Sequence, residues 1–460
     1  MNSLGEPIRH QIILILFVCF AVAFAWFVIP KPYLIILIST APIALVMVLA
    51  KPFPMVLFFV IFSFFRIHEV FPQLYNLKIP LLLSLASLGA IAWHTLISGK
   101  IKVYWRPEFT LLTIFTLLVI IGVVLANNRP IAIAYFKDIY WKIIVMTFAI
   151  AWLCRTEKDF RLSSGLILFA GLVVGTKAII NKVTGVGLVE GTRVTIGREL
   201  GSMLGDPNDL SLVLMFPTSF ALGIALTKSM NRFYRAIAFI SVPILFYAVI
   251  ATQSRGGLLG ILAVFGVFAY QRIKSKALLI TLGVMAAGIL FALAGISDRA
   301  SGGSGEAGID ASAMGRIYAW QAAFGMAVSH PLTGVGLDNF YANYFYYSPH
   351  WDGLNHAVHS TWFGVLAESG FVGLGIFVAL ILVLINTARN SLKTILLSPD
   401  KYPPVVLASS QAVFAGLIGT IVSGTFLTQG YNWPIYILAA LVAAVGQYID
   451  TTTPAQESKK

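Results

Sequence analysis

The chain has 460 residues, 58% of them apolar and only 11% charged, with a mean hydropathy of +0.85. Soluble domains carry about 25% charged residues, so a soluble globular protein is excluded and an integral membrane protein is indicated. The formal charge of +13 does not point to nucleic acid, because the basic residues fall in small clusters between apolar runs and form neither a basic face nor a nucleic-acid motif. The two cysteines, Cys19 and Cys154, lie far apart in or beside apolar runs without metal-ligand spacing, which argues against a disulfide or thiol chemistry.

About 20 apolar residues cross a bilayer as a helix. On that template spans are predicted near 11 to 29, 33 to 50, 53 to 65, 79 to 97, 109 to 126, 139 to 154, 164 to 181, 209 to 227, 234 to 252, 257 to 271, 277 to 296, 361 to 386, 404 to 424 and 432 to 449. The first is followed by Pro30-Lys31-Pro32 rather than a small-residue cleavage site, so it reads as a transmembrane helix and not a signal peptide. Pro52 and Pro54 interrupt the second and third, and the third is short; they are two crossings or a pair that dips in and out. The expectation is an all-α integral membrane protein of 12 to 14 transmembrane helices, one polytopic domain over residues 1 to 460. With the N-terminus inside, five inner loops carry three basic residues each: Lys100, Lys102, Arg106; Arg155, Lys158, Arg161; Lys228, Arg232, Arg235; Arg272, Lys274, Lys276; and Arg389, Lys393, Lys401. That alternation follows the positive-inside rule and puts both termini in the cytoplasm.

The outer segments are 182 to 208, the turn 252 to 256 and a long loop from 297 to 360. Ser301 to Gly308 is a flexible linker by composition. Beyond it Ile317, Trp320, Ala323, Phe324 and Ala327 recur at helical spacing, predicting an amphipathic helix at the membrane interface that ends before His330-Pro331. The aromatic run from Phe340 to Trp351 suits either interface anchoring or a platform for sugar or lipid. The chain ends in a polar tail, TTTPAQESKK.

Three stretches carry chemistry. In GTRVTIGRELGSMLGDPND, Arg193 and Arg198 supply planar charged forks suited to phosphate oxygens, and Asp206 or Asn208 is placed to cap the helix that follows. In TQSRGG, Arg255 stands at a polar break between two spans, where a charge is costly and faces a cavity or partner; glycines beside it admit a ligand or another backbone. At the third, His359 precedes Ser360 at the mouth of a span, and an imidazole there suits proton abstraction near neutral pH. Nine helical residues would separate Glu368 from His359 by about 13 Å, too far for direct pairing. His356 and His359 have i, i+3 spacing, but a third ligand is not evident, so no metal is expected.

The string His359-Ser360, nine residues, Gly370-x-x-Gly373 matches the signature H-[NSQ]-x9-G-x-x-G of bacterial O-antigen ligases. With GRELGSMLGDPND, TQSRGG, GRIYAW and HPLTGVGLDNF, the second half of the chain, residues 191 to 383, resembles the O-antigen ligase and polymerase superfamily. DASAMGRIYAW and HAVHSTWFGVLAESGFVGL resemble most a branch of O-glycosylation ligases associated with exosortase systems. The resemblance implies a membrane glycosyltransferase that uses an undecaprenyl-pyrophosphate-linked glycan, without nucleotide sugar, metal or other cofactor. It implies outer-face arginines on the donor pyrophosphate, Arg255 with Arg198 or Arg193, of which Arg198 is favoured as nearer GDPN. It implies His359 as the catalytic base at the periplasmic face of the bacterial inner membrane. Arg316, His356, Glu368, Asp206 and Asn208 are supporting residues; His330, His350 and His356 read as structural. The expected acceptor is a hydroxyl of the lipid A core oligosaccharide, with a growing glycan (a polymerase) or a protein serine or threonine as competitors. A transporter of lipid-linked glycans is the rival from another class, but no inverted repeat supports it.

Overall fold

The computed structural model describes residues 51–293 and 311–452, except 76, 100 and 352, with scattered positions between 17 and 50. The first two predicted spans, the linker at 301 to 308 and the tail beyond 452 lie outside the described residues, apart from those scattered positions. From residue 52 onward every predicted span is met by a helix. These are α1 Pro52–Phe64, α2 Ile79–Ala92, α3 Pro107–Leu125, α4 Trp141–Leu153, α5 Glu157–Thr184, α6 Pro207–Leu226 and α7 Arg232–Thr252. They continue with α8 Arg255–Tyr270, α9 Lys276–Leu293, α10 Ala311–Ser329, α11 Phe340–Tyr347, α12 Thr361–Leu397, α13 Pro404–Gly424 and α14 Trp433–Thr452. A two-stranded hairpin, β1 Leu188–Val189 and β2 Arg193–Val194, pairs antiparallel with Val189 opposite Arg193. Among the described residues eight helices are long and apolar enough to cross a membrane, and the protein is an all-α multi-pass membrane protein. A bilayer offers the backbone no hydrogen-bond partners, so spanning segments satisfy their own as helices. Their starts follow local chemistry: proline in the first turn of α1, α3, α6 and α13, a Thr156/Asp159 capping box on α5, and Asn231, Ser254 and Ser360 capping α7, α8 and α12.

Helix α6 is the axis of the bundle. Its residues from Leu210 to Ala225 are buried on every face, as expected for a helix that is apolar all round. Helices α5, α7, α8 and α13 pack around it. Successive helices alternate in direction, so residues 102–106, 155–161, 228–235, 272–276 and 389–401 gather at one end, and His359 lies at the other. Helix α1 explains the doubt over the third span. Its 13 residues rise only about 20 Å, and its last rings, Phe64 and Phe65, pack on Phe216 well down α6. The space above is filled by the loop after β2, whose Ile196 and Leu204 are buried and whose Gly197 lies beside Glu69.

The loop between α9 and α12 has its own small core: Ala319, Ala322, Ala323 and Met326 of α10 meet Val335, Phe340, Tyr344, Val358 and Ala367. The predicted amphipathic helix is present, but its bulky Ile317 and Phe324 face outward with Val328. The alanines face inward, because small side chains let α10 lie close against α12. This lobe is keyed into α12 at Gly370, where the helix breaks with φ 70° and ψ −172°. The turn 330–336 fills the gap: Val335 N donates to Ala367 O (2.8 Å) and Phe371 N to Pro331 O (2.9 Å). A Cβ on Gly370 would lie 2.5 Å from Pro331 O, so glycine is required for both conformation and space.

Candidate active site

Three segments distant in sequence converge at the His359 end. The hairpin turns the Arg193 side chain inward, where the residue is 8% exposed. Its Nε donates to Thr252 O (3.2 Å), its Nη2 to Asn208 Oδ1 (3.1 Å), and Nη1 lies 3.6 Å from Glu190 Oε1. Asn208 Oδ1 also accepts from Ser254 Oγ (2.8 Å), and Thr192 Oγ1 donates to Gln253 Oε1 (2.8 Å). Asp206, one of the two residues expected to cap α6, does so by accepting from Asn208 N (2.7 Å) and Asp209 N. Asn208 instead joins the two arginine segments.

Arg255 is the first residue of α8 rather than part of a loop, and Ser254 caps that helix by accepting from Gly257 N (3.2 Å). The neighbouring glycines serve protein packing. A Cβ on Gly257 would lie 2.2 Å from Ser211 Oγ, and one on Gly256 would lie 3.2 Å from Phe426 Cβ. The N-termini of α6, α8 and α12 therefore all open at this end. Their partial positive charge adds to the arginines in favouring an anion.

Arg193 and Arg198 have different surroundings. Arg198 is exposed and donates back to Gly205 O (3.3 Å). Proximity in sequence to GDPN favours Arg198; the fold gives contact with Asn208 of that motif to Arg193. A Cβ on Gly205 would lie 2.8 Å from Arg198 Cα, so the loop doubles back tightly and the Arg198 side chain leaves along its outer surface.

His359 adopts a left-handed conformation (φ 47°) immediately before the Ser360 cap of α12. A non-glycine residue held there stores on the order of 1–3 kcal/mol of strain, a feature that concentrates at functional sites. Burial holds its pKa below the ordinary histidine range; Arg316 adds to the depression, Asp206 opposes it, and His356 and Arg193 lower it further. The four groups come from α10, the start of α6, the loop of His359 itself and β2, which brings half of the other predicted site residues into electrostatic reach of one imidazole. The Arg316 guanidinium also lies over the Phe426 ring, 6.0 Å from its centroid. His356 packs edge-on to Tyr344 and His350 stacks on Tyr318. Glu368 turns away from His359: its Oε1 accepts from Phe340 N (3.3 Å), anchoring α11 to α12.

A fourth segment, residues 425–430 between α13 and α14, completes the site and was not among the sequence candidates. Thr361 Oγ1 donates to Leu427 O (2.7 Å) and accepts from Gln429 N (3.0 Å). Gln429 Nε2 donates to Asp209 Oδ1 (2.9 Å), and Trp362 Nε1 donates to Thr425 Oγ1 (3.2 Å). The signal available was a second polar break, TFLTQG, on the same side as TQSRGG. Also unanticipated are the buried His68 and Glu69, with a half-buried Arg66 that forms an ion pair with Glu69 beside Gly197. Among the described residues no group of three His, Cys, Asp or Glu side chains is placed to hold a metal ion.

No curated protein is similar enough to register a sequence match. Residues 239–378 match the family model described as O-antigen ligase. The match begins within α7 and ends within α12, and so contains Arg255, Arg316, His359 and the Gly370 break. The signature His359-Ser360 to Gly373 lies inside the matched segment, and over residues 239–378 the chain is similar to the O-antigen ligase family.

Proposed function

We propose that this protein transfers a glycan from undecaprenyl pyrophosphate to a hydroxyl of the lipid A core oligosaccharide, at the periplasmic face of the inner membrane. The observation that carries this reading is the convergence of a strained, half-buried histidine with arginines from separate elements at one end of the bundle. His359 takes the proton from the acceptor hydroxyl, whose oxygen forms a bond to the anomeric carbon as the bond from that carbon to the phosphate oxygen breaks. Attack opposite the departing group inverts the anomeric centre. The pyrophosphate leaves on its polyprenyl chain, its growing charge stabilised by Arg193 and Arg255 as cationic donors stabilise any developing anion. Arg193 is preferred to Arg198 because its guanidinium is held at Asn208 and acts on His359. Arg316 and Asp206 tune the imidazole, while His356 and Glu368 hold the loop.

Purified protein with a lipid-linked glycan and a core oligosaccharide tests this. The expected result is a glycan joined to the core, with His359→Ala reducing kcat by roughly 10²- to 10⁴-fold. A His359→Ala variant with undiminished turnover removes the base assignment. Movement of donor across liposomes without joining it to an acceptor makes the protein a transporter. Joining only to a glycan chain or to a protein hydroxyl replaces the acceptor.

A further inference from the structure

Gln429 is 2% exposed, and its side chain and backbone meet two different parts of the site. The amide nitrogen of its side chain holds Asp209, in the first turn of α6, three residues after the Asp206 cap that acts on His359. Its backbone N–H holds Thr361, two residues after His359. The turn that carries it is itself fixed. A Cβ on Gly430 would lie 2.4 Å from Val365 Cγ2, Tyr436 OH donates to Gly430 O (2.8 Å), and Asn432 Nδ2 donates to Met203 Sδ (3.4 Å). A buried amide is a costly way to fill space. Its Oε1 is buried without a hydrogen-bond partner among the described residues, and an unmet buried acceptor costs about 1–3 kcal/mol. The amide nitrogen is the partner of the Asp209 carboxyl, so the side chain at 429 ties this turn to the start of α6 and does more than fill space.

We propose that Gln429 is a positioning residue for the transfer reaction: by bridging Asp209 at the start of α6 to Thr361 at the start of α12, it fixes His359 relative to Arg193 and Asp206. The half of the site on α6, β2 and α8 and the half on the His359 loop come from separate stretches of chain, and the bridge sets the offset between them. The inference rests on the glycosyl-transfer reading and extends the machinery beyond the family match, which ends at residue 378.

The test combines turnover with a measurement that needs none. Gln429→Leu is expected to lower kcat about 10- to 100-fold, the scale of an ångström-sized misplacement, with KM for the lipid-linked donor within about twofold of wild type. Asp209→Ala is expected to give a similar loss, and the double variant no more than the worse single one, because both remove the same bridge. Reversing the bond, Asp209→Asn with Gln429→Glu, is expected to restore most of the turnover. The groups facing His359 are Arg316, Asp206, His356 and Arg193. Displacing it from them is expected to shift the pH midpoint of its modification by diethylpyrocarbonate, followed by mass spectrometry on the folded protein. Wild-type turnover in Gln429→Leu, independent losses that multiply in the double variant, or an unchanged midpoint overturns the proposal. A reversed pair that folds but stays as slow as Gln429→Leu also overturns it. Wild-type protein that transfers nothing overturns the reading of function alone, because the His359 midpoint still tests the bridge.

Discussion

At His359 the surrounding charges have a definite consequence for pH. Burial and the Arg316 guanidinium both disfavour the imidazolium, so the neutral base persists to a lower pH than an ordinary histidine allows. The acid limb of kcat/KM is expected below the usual histidine value of about 6.5. Arg316→Gln removes a positive charge, raises the histidine pKa and moves that limb to higher pH. A limb that stays in place, or moves down, shows that Arg316 does not act on the base. Residues of this kind were only partly legible in the sequence. Histidine before Ser360 and arginine in TQSRGG could be singled out because charged side chains are costly beside apolar spans. The proposed preference for Arg193 over Arg198 could not, since it rests on a two-residue strand pairing that turns one side chain inward and leaves the other outside. Gln429 was invisible because an uncharged amide in a short turn has no distinctive pattern until its partners, Asp209 and Thr361, are brought to it.

Among the elements, the helix break in α12 gives the signature glycines a mechanical meaning. The x9 spacing is the stretch of helix between the Ser360 cap and the point where the turn 330–336 enters. Gly370 sustains a backbone conformation essentially restricted to glycine, and the Pro331 carbonyl occupies the space a Cβ would need. Gly370→Ala is therefore expected to destabilise the protein by about 2–4 kcal/mol, the upper range for point substitutions, and to abolish transfer by releasing the lobe that presents His359. Gly375→Ala is the control, because a Cβ there meets nothing within 4 Å. Thermal melting in detergent is expected to separate the two variants, and equal melting temperatures would mean the break does not hold the lobe. From residue 52 onward the spans were legible, since hydropathy alone marks them. The break was not, because Ser369-Gly370-Phe371 lies inside an apolar run, and only the inserted carbonyl shows why the helix parts there. The reversal of α10 has a related cause: periodicity finds a helix but does not say that alanines, rather than Ile317 and Phe324, form the packed side.

For the whole molecule, the arrangement of charge bears on the side on which the proposed site works. Helix α12 runs from Thr361 to Leu397 with its break at Gly370, and the stretch beyond the break alone rises about 40 Å, more than the roughly 30 Å of bilayer hydrocarbon. His359 before its start and Arg389 near its end must therefore face opposite compartments. The five basic loops all lie at the Arg389 end, and each Lys or Arg near a span favours retention in the cytoplasm. Charge alternation supports a periplasmic His359 independently of its chemistry, and the proposed donor requires the same side. A version with Cys19 and Cys154 both replaced by serine makes this measurable through single cysteines at exposed positions. Tyr346→Cys, 75% exposed on α11, is expected to react with a membrane-impermeant maleimide in intact cells after permeabilising only the outer membrane. Asn390→Cys, exposed at the other end of α12, is expected to react only once the inner membrane is opened. The reverse pattern would place the histidine and arginines in the cytoplasm, and transfer to a periplasmic acceptor would then be impossible at this site whatever its geometry.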